Sequence, residues 1–221
     1  MKTIKLSILK KSDLKHLAKF VVEENLSHHV EKPAHNQAFI EKEIEYIYEE
    51  ESKFSNSKVL VATNSENKII GSIRTLKWNT LDILPIEKMF AIDLKNILET
   101  KKTDIWHIGR FAIKKGAEGS GFSLFKTLMV HAINDVCTNT NSLAIAECDV
   151  KLLRILKALG IETTAITNSI HYLGSETVPV ILTYKTLKNF LDYNLHFLSC
   201  HEENLHKSVV LSTPHQYYTF V

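Results

Sequence analysis

The chain has 221 residues, 44% of them hydrophobic and 24% charged, with a formal net charge of +2 at pH 7. That length allows one substantial core, two full domains would be crowded, and no concentrated basic stripe marks a nucleic-acid binder. Cys137, Cys148 and Cys200 form no CxxC pair, the histidines lack HExxH spacing, and no apolar run reaches the roughly 20 residues that span a bilayer, so neither a disulfide framework, a metal site nor a membrane segment is expected.

Thr3 to Leu9 reads as a first strand. Ser12 is placed to cap a helix carrying Leu14, Leu17, Ala18 and Val21 on one face. A second helix is expected over Asn36 to Glu51, with Phe39, Ile44, Ile47 and Tyr48 as its apolar face and its glutamates as a solvated one. Lys10, Lys11 and Asp13 interrupt any signal-peptide core, so the expectation is a cytoplasmic protein. Lys58 to Thr63 and Lys68 to Trp78 read as a hairpin around Asn64-Ser65-Glu66-Asn67. Residues 79 to 103 form an irregular or partly helical insertion, and a further strand ends at Ile113.

Three of the seven glycines follow that strand, in Gly116-Ala117-Glu118-Gly119-Ser120-Gly121. Next comes a helix with Phe125, Leu128, Met129, Ala132, Ile133 and Val136 on one face. A glycine-rich turn between strand and helix exposes backbone N–H groups that can bind a phosphate. The GxxGxG spacing is neither a dinucleotide fingerprint nor a P-loop. A turn needing positive φ is the structural alternative. Ser142 to Cys148 is a strand, and Asp149 can cap a short helix closed by Gly160. Strands over Ile166–Leu173 and Val178–Tyr184, separated by Gly174-Ser175-Glu176-Thr177, precede a helix to about Phe197. The pattern is one α/β domain over 1–221 with a mixed α+β sheet, a central twisted sheet flanked by helices and a C-terminal tail from about 186.

This element order resembles the GNAT acyltransferase superfamily, in which an Arg/Gln-x-x-Gly-x-Gly/Ala loop binds the phosphates of an acyl thioester. Here Gly116 stands where the arginine or glutamine usually is. Ile70-Gly71-Ser72-Ile73-Arg74-Thr75-Leu76, Leu84-Pro85-Ile86-Glu87-Lys88-Met89-Phe90, Ile108-Gly109-Arg110-Phe111-Ala112-Ile113 and Val178-Pro179-Val180-Ile181-Leu182 are similar to segments of the acyl-homoserine-lactone and N-acyl amino acid synthases. Those synthases carry glutamate three residues before the strand arginine, where this chain has His107.

The resemblance implies an N-acyltransferase that moves an acyl group from acyl-CoA, or from acyl-phosphopantetheine on an acyl carrier protein, to a small amine acceptor such as an amino acid. An ordinary acetyl-CoA-dependent acetyltransferase and a non-catalytic thioester-binding module are the alternatives. The donor would lie against Phe111, Ala112 and Ile113 and on Gly116, Gly119, Ser120 and Gly121. Lys101, Lys102, Lys114, Lys115 and Lys126 could steer an acidic carrier. His107 is a candidate proton acceptor, or else a structural histidine, and Glu147 is the second candidate base. Arg74 and Arg110 each interrupt an apolar strand. They would bind a substrate carboxylate or form a structural salt bridge with Glu147. On a regular strand His107 and Arg110 lie on opposite faces, so their joint use requires a bulge. Tyr172 either contacts substrate, where it would protonate the leaving thiolate, or is a packed strand aromatic.

Overall fold

A computed structural model describes residues 4–28, 37–116 and 121–199. Eight strands form one sheet: β1 (Lys5–Ile8), β2 (Lys58–Thr63), β3 (Ile69–Lys77), β4 (Asp104–Ile113), β5 (Ser142–Asp149), β6 (Thr163–Ala165), β7 (Ile170–Tyr172) and β8 (Ser175–Thr183). The order is β1-β2-β3-β4-β5-β8-β6, with β7 also on β8. Only β4 and β5 run parallel, joined by α5 (Gly121–Val136), as a parallel crossover requires. This is the mixed sheet with flanking helices expected from the sequence.

Helices cover both faces. The apolar side of α5 packs Leu124, Phe125, Leu128 and Ile133 against Leu60, Ile73, Ile108 and Ala146 of the sheet. Leu156 of α6 (Val150–Ala158) and Phe190 of α7 (Tyr184–Asn194) complete that layer. On the opposite face, α1 (Leu14–Ser27) and α2 (Gln37–Ser52) bury Leu17, Val21, Val22 and Ile47 over Val59, Val61 and Ala112. Beside them the insertion folds as α3 (Pro85–Phe90) and α4 (Leu94–Ile97), covering Leu76, Ile105 and Ile145. Each fully buried aliphatic side chain contributes about 1.5–3 kcal/mol, so both layers are needed for a sheet of this size.

Local signals place most elements. Asn64 Oδ1 accepts the Glu66 and Lys68 N–H groups at 3.0 and 2.9 Å, closing the β2–β3 hairpin. Asp149 caps α6 through the Leu152 N–H. Gly160, at φ 75°, ends that helix, with Ile161 N–H on the Leu156 carbonyl and Gly160 N–H on that of Lys157. Within the insertion the Glu87 carboxylate accepts the Leu84 N–H at 2.8 Å and the Leu94 N–H at 3.1 Å, so one buried side chain ties the start of α3 to that of α4.

Three local expectations are corrected. Ser12 does not cap α1. It lies in a 3-10 turn, Lys11–Asp13, closed by the Asp13 N–H on the Lys10 carbonyl, and its hydroxyl faces the Asp13 carboxylate at 3.3 Å. Of the strand expected over 166–173 only β7 forms; residues 166–169 are a bend and a loop, and β6 lies just before them. The turn expected at 174–177 is instead the two-residue Leu173-Gly174, because both take positive φ (46° and 84°), as a type I′ hairpin demands, and this frees 175–177 to extend β8.

Glu87→Ala should lower the unfolding free energy by about 2–3 kcal/mol by leaving two buried N–H groups unpaired. Urea titration should show a reduced midpoint with an unchanged slope.

Candidate active site

β4 carries a bulge. Ser72 pairs with Ala112 and Arg74 with Gly109, so Ile73 alone opposes Arg110 and Phe111. Arg110 absorbs the extra residue at φ 52°, a left-handed conformation costing a non-glycine residue about 1 kcal/mol or more. Two contacts hold it there. The Ser72 hydroxyl donates to the Arg110 carbonyl at 2.7 Å, and the Arg110 Nε donates to Glu51 Oε1 at 2.8 Å. The bulge resets the alternation of the strand, turning Phe111 and Ile113 toward α5 and Ala112 toward α1.

The same stretch separates β4 from β5. Their parallel pairing runs from Asp104–Ser142 to Ile108–Ala146 and stops, after which Glu147 to Asp149 pair only with β8. The edge of β4 from Gly109 onward therefore has no strand beside it on that side. A cavity of about 320 Å³ opens in the gap. Its wall includes the backbone of Gly109 to Ile113, the apolar side chains of Phe125, Met129 and Leu152, and the polar groups of Arg110, Glu147 and Tyr172. At one rim the end of α1 is tied to β4, with His28 Nε2 donating to the Ile113 carbonyl at 2.8 Å and Lys115 Nζ to the Ser27 carbonyl at 2.9 Å.

Behind the cavity lies a buried chain of charge. Glu147 Oε2 is 2.9 Å from His107 Nε2, and His107 Nδ1 is 2.9 Å from Arg74 Nη2. Arg74 Nε is 3.6 Å from Glu51 Oε1, the oxygen that also receives Arg110. Arg74 and His107 are 1% and 0% exposed, so the pairing is fully desolvated, whereas the Glu147 side chain keeps 15% exposure. Two carboxylates and two guanidiniums balance. A guanidinium can only donate, so Nδ1 of His107 is the acceptor and Nε2 carries the proton given to Glu147. Burial lowers the His107 basicity, and the Arg74 charge adds to this against the pull of Glu147. For Glu147 burial acts upward, but the His107 contact and the two arginines outweigh it and hold the carboxyl below its ordinary value.

The strands thus bring His107, Arg110, Arg74 and Glu147 together around the bulge, but of the four only Arg110 and Glu147 line the cavity. The arginines' ion-pair partner is Glu51, however, not Glu147. Glu51 was assigned to a solvated helix face, yet it is 2% exposed. The signal for it was present: Ile44, Ile47 and Glu51 recur at helical spacing, and two arginines in apolar strands require an acid. Gly109 also has a local reason, since a Cβ there would stand 2.8 Å from Arg74 Nη2. Tyr172 donates its hydroxyl to Glu43 Oε2 at 2.9 Å, and burial, reinforced by Glu43, pushes its phenol up. That makes it a weak acid while leaving its ring on the cavity wall.

Phe111, Ala112 and Ile113 lie on the open edge of β4. Gly116 takes φ 75°, which accounts for that glycine as a turn residue. Gly121 opens α5, and among the described residues no atom within 4 Å would meet a Cβ there. Gly119 and Ser120 lie outside the described residues.

Glu51→Ala strands two buried guanidiniums and should cost about 3–5 kcal/mol of stability, read by urea or thermal unfolding. Because the carboxyls of Glu51 and Glu147 are depressed in the folded state, their stabilisation is present above the unfolded value of about 4.5 and lost as pH falls through the folded ones. Calorimetry from pH 7 to pH 3 should show that loss, with a smaller slope in Glu147→Gln.

No protein-family model matches the chain, and no curated protein matches it in sequence. Solved structures do. FeeM, an N-acyl amino acid synthase from uncultured soil microbes, superposes with a TM-score of 0.56 at 14% identity over 86% of this chain and 95% of its own. BjaI, a CoA-dependent acyl-homoserine lactone synthase solved with SAM and isopentyl-CoA, gives 0.55 at 11% identity over 86% and 89%. FdhC, a nucleotide-linked sugar GNAT, gives 0.50 at 13% identity over 89% and 95%. The chain shares its fold with these synthases and with that GNAT.

Proposed function

We propose that this protein is an N-acyltransferase that takes an acyl group from a phosphopantetheine thioester, on coenzyme A or an acyl carrier protein, to the amine of a small acceptor such as an amino acid. The observation that carries this reading is the cavity opened where β4 and β5 part, with an unpaired strand edge along one wall and Glu147 and Arg110 as charged groups in it. An extended pantetheine arm carries amide groups that can pair with the free edge of β4 as an added strand would. Its phosphates would meet the turn between β4 and α5, where among the described residues nothing crowds Gly121 at the helix N-terminus. The structures of similar fold include a CoA-dependent acyl-homoserine lactone synthase and an N-acyl amino acid synthase, which supports an acyl-transfer reading.

In the reaction the acceptor, bound as an ammonium beside Glu147, releases one proton to solvent through water. The free nitrogen lone pair attacks the thioester carbonyl, N–C forms, and the tetrahedral intermediate collapses with loss of the C–S bond. The second nitrogen proton ends on the departing sulfur. Products are an amide and a thiol, so atoms and charge balance. Backbone N–H groups at the bulge would supply the oxyanion donors. The acceptor's own anionic group would meet Arg110, which lines the cavity. Two opposite charges on one cavity wall suit a zwitterionic amino acid.

Purified protein supplied with acyl donors of varied length and carrier, plus a panel of amino acids, should release thiol in proportion to amide formed. No release across the whole panel would overturn the reading. Arg110→Lys keeps the charge facing Glu51 but loses the fork. It should raise acceptor KM by roughly tenfold with donor KM within about twofold.

A further inference from the structure

We propose that His107 is a positioning residue, not the proton acceptor: clamped by Arg74, it fixes the Glu147 carboxylate at the cavity wall as the anion that receives the acceptor's ammonium. The inference rests on the acyltransferase reading and assigns the roles within it.

Three observations carry it. First, Glu147 and Arg110 line the cavity while His107, Arg74 and Glu51 do not, and His107 is 0% exposed, so substrate reaches the carboxylate and not the imidazole. Second, both imidazole nitrogens are occupied. Arg74 Nη2 fills the Nδ1 lone pair, and the Nε2 proton points at Glu147, which leaves no basic site for an amine proton. Third, the chain makes room for this clamp. Arg74 Nη2 occupies the space that a side chain at position 109 would take, so Gly109 and the Arg74–His107 bond form one steric unit.

Glu147 is faced by His107 and Arg110 from β4, by Arg74 from β3 and, through the two arginines, by Glu51 from α2. With cations on one side and open cavity on the other, one oxygen is anchored and the other is available to an ammonium. The anchoring demands a group that accepts from Arg74 and donates to Glu147 without a net charge. Neutral histidine does this, and so does a glutamine amide, with its carbonyl toward Arg74 and its NH₂ toward Glu147.

The experiment compares His107→Gln with His107→Leu in the full chain, alongside ¹⁵N NMR of histidine-labelled parent protein, with His107 assigned by its absence from the variants. Positioning predicts that His107 stays in the Nε2–H tautomer without titrating between pH 5.5 and 8. It also predicts that His107→Gln keeps kcat/KM within about tenfold and retains the acidic limb of the pH profile. His107→Leu, which leaves Glu147 without its anchor, should lose at least 100-fold, mainly in acceptor KM. An imidazole that protonates in that range overturns the proposal. So does a His107→Gln protein that keeps its near-UV circular dichroism but is as inactive as His107→Leu. If the parent shows no turnover with any donor, the acyltransferase reading fails, and the NMR tautomer and titration alone decide the placement of His107.

Discussion

A guanidinium cannot be left alone inside a sheet, and Arg74 sits at the middle of the central strands with 1% of its surface exposed. Everything around the site follows from neutralising it without water. One acid, Glu51, comes from the last turn of α2 and serves both Arg74 and Arg110 through a single oxygen. A neutral imidazole takes a second face of the Arg74 guanidinium and passes the polarity on to Glu147. Isolated, any of these groups would carry a desolvation penalty of several kcal/mol, so they must be assembled together.

That requirement explains the backbone as well as the side chains. Arg110 reaches Glu51 only because β4 carries an extra residue and bends, and the Ser72 hydroxyl stabilises the bend at its carbonyl. The bend also ends the pairing with β5, since the strand twists away beyond Ile108. One irregularity therefore produces two structural features: a charged cluster on the α1–α2 face and an open strand edge beside a cavity. Bulges recur beside active sites for this reason, re-aiming a side chain while terminating a ladder.

The two faces of the sheet divide the work. The α5 face is packed with aliphatic and aromatic side chains and secures the crossover between the parallel strands. The α1–α2 face mixes a smaller apolar cluster with buried acids and bases. Here Tyr172 is tied to Glu43 and the end of α1 is strapped across the rim of the cavity by His28 and Lys115. Polar networks satisfied in this way set geometry more than they add stability, which suits a surface that must hold charges at fixed separations.

Periodicity and turn chemistry were enough to read the elements and the layering, because they depend on near neighbours in the chain: the hairpin at Asn64, the cap at Asp149, the closing Gly160, and the apolar stripe of α5. The same reading singled out Arg74, Arg110, His107 and Glu147, since a polar residue in an apolar strand is conspicuous without any structure. It could not pair them. The bulge at Arg110 has no local signature, as arginine does not favour positive φ and takes it only because Ser72 and Glu51 impose it. Glu51 looked like one more glutamate on an acidic helix, and its burial depends on how α2 lies across the sheet. Leu173-Gly174 took the turn that Gly174 to Thr177 was expected to make, because the pairing of β7 with β8 chooses the register. Sequence by itself marked the polar residues that interrupt apolar strands and the elements that hold them. Tertiary structure alone decided which charge faces which, because burial and partner distance are properties of strands and helices brought together from far apart in the chain.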